Sequence, residues 1–197
     1  PDSANCSKGR TIMTASTLFE ALHRAARLNK AETGLRYIDR RERPTWRTYP
    51  DLVQCSETIA GGLHKLGVKK GDTVAVILPT TPEFTDVFFA IIHLGAIPVP
   101  LYPPVRLGRL DEYFTRTGQM LRQSGTKILV TDKRAGKLMG SLVQKADRPI
   151  QIVRVDELVN CPPVPRFPRL SDDIAMVQFS SGTTGPPNPV ALTHGPV

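Results

Sequence analysis

Short apolar runs that alternate with helix-patterned segments constrain the fold of this chain more than any other feature. Residues 73–78 form a near-continuous apolar run, typical of a strand buried on both faces, and Pro79 ends it. Pro82 begins a segment with helical spacing that Gly95 closes, and a second strand-like run occupies residues 97–101. Because strand, helix and strand follow in this order, the sequence predicts right-handed crossovers and a largely parallel sheet.

The alternation continues along the chain. We predict helices over residues 109–124 and 133–145, and strands over residues 127–131 and 150–155. Crossover helices cover both faces of a parallel sheet. The predicted fold class is therefore α/β, a doubly wound, largely parallel sheet with helices on both faces.

Two further elements are predicted ahead of this alternation. Thr17 and Glu20 have the spacing of a capping box, and the helix that they begin extends to about residue 29. Residues 35–38 and 45–48 carry β-branched and aromatic side chains on either side of an Arg-rich turn. This pattern indicates a β-hairpin.

A second helix is predicted directly after the hairpin. Thr48 is its N-cap, Pro50 lies near its first turn, and Gly67 stands where a left-handed C-cap residue belongs. The lone Trp46 is interpreted as a packing residue.

Clusters of proline divide the chain into segments. Twelve of the 18 prolines fall in three clusters of four, within residues 98–104, 162–168 and 186–196. A stretch so poor in amide donors cannot lie inside a sheet, so the second cluster is interpreted as a surface crossing. The predicted organisation is a loose N-terminal arm over residues 1–15, an α/β subdomain over 16–159, the Pro-rich crossing over 160–171, and the start of the next subdomain over 172–197.

Composition argues against several classes of protein. No apolar run approaches the roughly 20 residues that span a bilayer, and the N-terminus lacks the order of a secretory signal, so we expect a cytoplasmic protein without a membrane span. The three cysteines, Cys6, Cys55 and Cys161, are too widely spaced for a disulfide framework or a metal knuckle. The helical histidines also lack metal-ligand spacing, so no metal site is predicted.

The net charge of +8 is weak support for a nucleic-acid partner. The densest basic patch, from Arg36 to Arg47, is interleaved with Asp39 and Glu42 and flanked by aromatic residues. This mixture favours a solvated hairpin. We therefore predict no nucleic-acid partner.

The segment QFSSGTTG, residues 178–185, is the most informative part of the chain. It follows a strand predicted over residues 174–179 and precedes one predicted over 190–193. Glycines leave backbone N–H groups open to an anion, and Ser and Thr hydroxyls add donors. From the residues alone, a phosphate-binding loop and a flexible Gly/Ser linker are equally consistent with this segment.

Two common nucleotide signatures do not fit the segment. A Walker loop needs Lys followed by Ser or Thr after its last glycine, whereas Gly185 is followed by Pro186 and Pro187. A dinucleotide fingerprint needs three glycines after a first strand, and this loop has two near the C-terminus. A phosphate loop here would be of another kind.

The run DDIAMVQFSSGTTGPPNPVALTH, residues 172–194, resembles the phosphate-binding signature of the adenylate-forming superfamily. This superfamily includes acyl-CoA synthetases, fatty acyl-AMP ligases, luciferases and peptide-synthetase adenylation domains. The upstream segments LGVKKGDTVAV and LGAIPVPL also resemble it, and the resemblance extends almost to residue 14. The matching signature positions are Phe179, Ser180, Ser181, Gly182, Thr183, Thr184, Gly185, Pro187 and His194.

The resemblance implies ATP and Mg²⁺ as cofactors and an acyl-adenylate as product. The resemblance also implies that His194 lines the substrate entrance. The alternative, which we favour, is that His194 is a hydrogen-bonded histidine at the end of a strand. The resemblance further places the catalytic lysine, the adenine and ribose contacts and the acidic Mg²⁺ ligand beyond residue 197, so we expect residues 1–197 alone not to turn over ATP. The implied ATP phosphate-binding residues are Ser180, Ser181, Gly182, Thr183, Thr184, Gly185 and Asn188, with the hydroxyls of Thr183 and Thr184 in direct contact.

The chain departs from the family pattern at two positions. The family's lysine falls on Asn188 and the following glycine on Pro189. An asparagine can still donate hydrogen bonds, but the ammonium group is missing. This departure predicts weakened triphosphate binding.

The segment PVPLYPPVRLGRLDEYFTRTGQML, residues 98–121, resembles fatty acyl-AMP ligases more than CoA-forming enzymes. That resemblance implies a fatty acid substrate and an acyl carrier protein as acceptor. The alternative is a long-chain fatty acyl-CoA synthetase with CoA as acceptor. An alternative of another class is a non-catalytic nucleotide- or partner-binding module from a truncated or degenerate adenylation domain.

Overall fold

The computed structural model describes residues 17–29, 33–39, 41–104, 109–139, 142, 149–180 and 187–195. Its helices are α1 (Leu18–Asn29), α2 (Tyr49–Lys65), α3 (Pro82–His93), α4 (Leu110–Gln123) and α5 (Lys133–Gly136). Its strands are β1 (Gly34–Ile38), β2 (Pro44–Thr48), β3 (Thr73–Ile77), β4 (Ile97–Pro100), β5 (Ile128–Thr131), β6 (Gln151–Arg154), β7 (Ile174–Ser180) and β8 (Asn188–Thr193).

Four parallel strands form the central sheet in the order β4-β3-β5-β6. Successive side chains of β3 enter two different core clusters, because the side chains of a strand alternate between its faces. Val74 and Val76 pack with α2 and α3 in the first core cluster, whereas Ala75 and Ile77 pack with α4 and α5 in the second. The prediction of an α/β fold with a parallel sheet and helices on both faces is confirmed.

Local capping residues set the ends of the first two helices as predicted. The Thr17 hydroxyl accepts the backbone N–H of Glu20 at 3.2 Å, and the Thr48 hydroxyl accepts that of Asp51 at 3.1 Å. Both contacts satisfy an N–H group that a helix start leaves without a partner. Gly67, just past the end of α2, has φ of +87°, the left-handed conformation that glycine adopts without strain.

The predicted helix over residues 133–145 is only partly matched. The Asp132 carboxylate accepts the N–H of Ala135 and begins α5, which ends at Gly136 and continues as turns through residues 137–139. Most of the remaining predicted range lies outside the described residues.

The interpretation of Trp46 as a packing residue is wrong. Strand β1 pairs with β2 in an antiparallel hairpin, and Trp46 stands opposite Arg36 with half of its surface exposed. The neighbouring residues Tyr37 and Arg47 face the body instead, where they contact Thr85 and Asp86 of α3. A two-stranded hairpin covered on one side buries alternate residues, and Trp46 lies on the open side.

The Pro-rich segment contains no helix or strand over residues 161–170. It nevertheless packs on the body: the backbone N–H of Phe167 donates to the carbonyl of His93 at 3.2 Å, and the His93 ring lies 2.8 Å from the carbonyl of Val164. The segment leads into β7, which lies beside β4 and pairs with β8 in an antiparallel hairpin. Among the described helices, none combines the length and apolar character needed to cross a bilayer.

Candidate functional site

Strands β7 and β8 bring two of the predicted phosphate-binding residues together. Ser180 ends β7, Asn188 begins β8, and the two are register partners at the tip of the hairpin. The Ser180 hydroxyl donates to the Asn188 carbonyl at 3.4 Å. The segment between them is the one with the phosphate-loop pattern. Its predicted site residues Ser181, Gly182, Thr183, Thr184 and Gly185 lie outside the described residues.

The two strands of this hairpin have different surroundings. In β7, Val177 is buried in the second core cluster and Phe179 packs against it. Every residue of β8 is exposed. The apolar alternation of β7 therefore anchors one strand to the body, while Ser180 and Asn188, at the described part of the tip, are exposed.

The hairpin itself carries no charged side chain. Residues 174–195 contain no Asp, Glu, Lys or Arg. At the described part of the tip the exposed Asn188 amide is a neutral donor that suits phosphate oxygens, whereas the Ser180 hydroxyl would have to leave its 3.4 Å contact with the Asn188 carbonyl to donate to one. A carboxylate ligand for Mg²⁺ would have to come from another part of the protein. Within the described chain, no group of three or more His, Cys, Asp or Glu side chains is placed to hold a metal ion.

His194 lies at the other end of the hairpin from Ser180. It follows β8, is almost fully buried, and its backbone N–H donates to the carbonyl of Asp173 at 3.0 Å. Its Nε2 atom is 3.1 Å from the guanidinium of Arg169, and its Nδ1 atom has no hydrogen-bond partner among the described residues. Burial and the positive charge of Arg169 lower the pKa of His194. This geometry is that of a hydrogen-bonded histidine at a strand end.

Sequence reasoning did not single out Arg169, which the structure places at the base of the hairpin. Its guanidinium donates to the carbonyls of Ile92, Ala96 and Ile174 at 3.0, 2.6 and 3.3 Å. The available sequence signal was weak: a single arginine that follows the second proline cluster. A cleft of about 260 Å³ opens beside it, and neither Ser180 nor Asn188, the two predicted phosphate-binding residues that the structure describes, lines that cleft.

The AMP-binding enzyme family matches residues 22–197. The chain therefore belongs to this family of adenylate-forming, ATP-dependent acid-activating ligases. Among curated relatives, 4-coumarate–CoA ligase CCL1 of Humulus lupulus is 32% identical over 159 residues, and 4-coumarate–CoA ligase 2 of Nicotiana tabacum is 30% identical over 162 residues. Each alignment covers 75% of this chain and 28% of the relative. The chain thus spans less than a third of these relatives' length.

Solved structures of adenylate-forming enzymes superpose on most of the chain. One, from a study of fatty acyl-adenylate ligases from E. coli and L. pneumophila, has a TM-score of 0.81 at 29% identity, over 90% of this chain and 32% of that one. Another, o-succinylbenzoate CoA synthetase from Bacillus subtilis with its acyl-adenylate intermediate, has a TM-score of 0.72 at 25% identity, over 90% and 42%. The fold is that of the N-terminal part of an adenylate-forming enzyme.

Proposed function

We propose that this chain is the ATP phosphate-binding, N-terminal part of a ligase that activates a fatty acid as its acyl-adenylate and passes the acyl group to an acyl carrier protein. The observation that carries the proposal is the β7–β8 hairpin. Its register joins Ser180 to Asn188 across the tip, at either end of the segment with the family's phosphate signature.

In the proposed reaction, an oxygen of the fatty acid carboxylate forms a bond to the α-phosphorus of ATP. The bond from that phosphorus to the bridging β-phosphate oxygen breaks, and pyrophosphate leaves. The loop holds the β- and γ-phosphates through backbone N–H groups and the hydroxyls of Thr183 and Thr184, and the Asn188 amide adds a donor. Bound Mg²⁺ would offset negative charge on the phosphates. His194 touches no substrate in this proposal.

Two observations support the fatty acyl-AMP ligase assignment. The Tyr-Pro-Pro segment at residues 102–104 resembles that group, and structures of fatty acyl-adenylate ligases share the fold. The curated relatives favour a second candidate, a CoA-forming ligase, because they are 4-coumarate–CoA ligases at 30–32% identity. The two candidates differ in the acid and in the acceptor, so both can be assayed separately.

Acid-dependent exchange of labelled pyrophosphate into ATP tests this function in the whole protein. We expect exchange with a long-chain fatty acid, and transfer of the acyl group to phosphopantetheinylated acyl carrier protein in preference to CoA. Exchange with 4-coumarate and formation of a CoA thioester would instead establish the second candidate. Absence of exchange with every acid would favour a non-catalytic module.

The same assay on residues 1–197 alone provides a matched comparison. We expect no exchange, because the adenine-binding residues and the catalytic lysine belong to the proposed remainder of the protein. Exchange by this segment alone would contradict the proposed division of the active site.

A further inference from the structure

One side chain, Arg169, connects the open end of the β7–β8 hairpin to the central sheet. Its Nε atom donates to the carbonyl of Ile92 in the last turn of α3, and its Nη2 atom donates to the carbonyl of Ala96 just before β4. Its Nη1 atom donates to the carbonyl of Ile174, the first residue of β7. Only a guanidinium offers five donors in a planar fork, so no other side chain would make this set of contacts.

The second strand of the hairpin is held by the same guanidinium. The Nη1 atom of Arg169 lies 3.1 Å from Nε2 of His194, the residue that follows β8. An arginine only donates hydrogen bonds, so His194 must accept, and its ring must be neutral with the proton on Nδ1. Arg169 therefore contacts the beginning of β7 and the end of β8 at once.

We propose that Arg169 and neutral His194 form a positioning latch, which fixes both strand ends of the hairpin and thereby sets where the loop at its tip presents its donors to the ATP phosphates. The proposal rests on the proposed function of that loop. Neither residue touches ATP in this proposal; both act through the placement of β7 and β8.

The surroundings of β8 explain why a latch is needed. All six residues of β8 are exposed, so β8 gains little from apolar packing and depends on its pairing with β7 and on its ends. A displacement of about 1 Å in a group that positions a substrate can cost about a hundredfold in rate. Loss of the latch would therefore misplace the tip while the two core clusters keep the central sheet folded.

Protonation of His194 would open the latch. The charged groups that bear on His194 are Arg169 and Asp173, and Asp173 is itself paired with Lys70, its Oδ2 atom 3.5 Å from Nζ. A proton on Nε2 would remove the acceptor and place a positive charge against the guanidinium. Because burial and Arg169 lower the pKa of His194, the hydrogen bond between Arg169 and His194 is present at neutral pH and is lost only on acidification.

The test compares Arg169→Met with Arg47→Met in the whole protein, assayed by pyrophosphate exchange. Arg47 is a suitable control because it is also a largely buried arginine, paired with Asp86 at 2.8 Å, but lies on the other hairpin. We expect Arg169→Met to raise the KM for ATP about tenfold or more, with the KM for the acid changed less than about twofold. We expect Arg47→Met to lower the Tm and to leave the KM for ATP and the KM for the acid unchanged. An unchanged KM for ATP in Arg169→Met, or an equal rise in both KM values, would overturn the latch.

A second variant reports on the latch through its pH dependence. In His194→Gln, the side-chain oxygen accepts the Arg169 N–H group but does not titrate. We expect the KM for ATP to rise at acid pH in the wild type and to show no such rise in this variant. An identical rise in the KM for ATP at acid pH in the wild type and in His194→Gln would contradict the role of His194.

Hydrogen exchange separates failure of the latch from failure of the proposed function. If no acid supports pyrophosphate exchange, the proposed function fails, and the latch is judged by amide protection alone. Arg169→Met should then speed exchange of the β8 amides and leave the β3 amides protected. Equal protection of β8 in wild type and variant would overturn the latch whatever the activity.

Discussion

The central sheet and the β7–β8 hairpin differ in what holds them together. Every residue of β5 is buried, and so are four of the five in β3, whereas every residue of β8 is exposed. Apolar packing on both faces stabilises the sheet, while the hairpin relies on its backbone ladder, one packed face of β7 and the contacts of Arg169. The comparison separates a buried scaffold from an exposed hairpin that we expect to have lower local stability, and the proposed binding loop lies on that hairpin.

The largest expected difference concerns leucines of the two regions. Leu129 of β5 is fully buried, so Leu129→Ala should lower the free energy of unfolding of the 197-residue chain by about 2–5 kcal/mol. Leu192 of β8 is 40% exposed, so Leu192→Ala should cost about 1 kcal/mol or less. Urea denaturation measures both. Equal losses would contradict the division into scaffold and exposed hairpin.

Replacing one glycine of α2 with alanine should destabilise the protein, although this substitution usually stabilises a helix. A Gly→Ala change inside a helix ordinarily stabilises by about 0.5–1 kcal/mol. A Cβ atom on Gly61, however, would collide with the backbone carbonyl oxygen of Pro162 in the Pro-rich segment that leads to the hairpin. We expect Gly61→Ala to destabilise by about 1–3 kcal/mol in thermal or urea unfolding.

Gly136 of α5 is the matched control for this change. A Cβ atom there would meet only ordinary contacts, the nearest being 3.5 Å away on Thr131. Gly136→Ala should alter the free energy of unfolding by less than about 1 kcal/mol. Equal changes in the free energy of unfolding in the two alanine variants would contradict the inference that Gly61 allows the Pro-rich segment to pack closely on α2.

The buried carboxylate of Asp86 should make the body less stable as the pH rises. Burial raises its pKa to about 7, although Arg47 partly opposes this, and its Oδ1 atom has no hydrogen-bond partner among the described residues. Between its unfolded pKa of 3.8 and about 7, the folded state binds more protons than the unfolded state, so the free energy of unfolding falls with rising pH. Asp86→Asn should remove this slope in urea denaturation between pH 4.5 and 6.5.

His23 of α1 should produce the opposite slope. Burial, Arg166 and His93 lower its pKa from 6.5 to about 4, so in that window the unfolded state binds more protons and stability rises with pH. His23→Gln should remove this contribution and leave a steeper fall with pH than in the wild type. Slopes that change in the same direction in both variants would contradict this assignment. Both groups belong to the body, so neither change should alter the pH dependence of ATP binding.

The smallest expected effect is a gain of affinity at the hairpin tip. Residues 174–195 have no charged side chain, and Asn188 stands where the family's signature has lysine. Asn188→Lys in the whole protein should tighten ATP binding by about 0.2–1 kcal/mol, since the added charge is exposed. Isothermal titration checks this, with Asn188→Gln as the neutral control. Unchanged affinity in Asn188→Lys would show that the missing ammonium does not weaken binding.

Local sequence signals predicted most of the fold. The caps at Thr17 and Thr48 and the apolar run of β3 act over a few residues, so their pattern was sufficient. The exposure of Trp46 was missed, because which face of a hairpin is covered depends on helices far along the chain. Arg169 was missed for the same reason: its carbonyl partners Ile92 and Ala96 lie 77 and 73 residues away.

For the candidate site, the motif identified the β7–β8 hairpin but not the contacts of Arg169 at its base. The pairing of Ser180 with Asn188 follows from a loop between two short strands, which is a local property. The burial of His194 against Arg169 depends on the path of the Pro-rich segment, which has no periodic pattern to read. Sequence reasoning therefore predicted the hairpin and missed the contact of Arg169 with His194, while the phosphate-binding role of the loop stays a prediction.

The central claim is that the loop between β7 and β8 holds the phosphates of ATP, and a pair of hydroxyl deletions tests it most directly. The measurement is the KM for ATP in pyrophosphate exchange by the whole protein, comparing the Thr183→Val/Thr184→Val double variant with Thr193→Val, which removes an exposed hydroxyl at the far end of β8. We predict a rise of about ten- to a hundredfold for the loop variant, with little change in the KM for the acid, and no change for Thr193→Val. An unaltered KM for ATP in the loop variant would contradict the account.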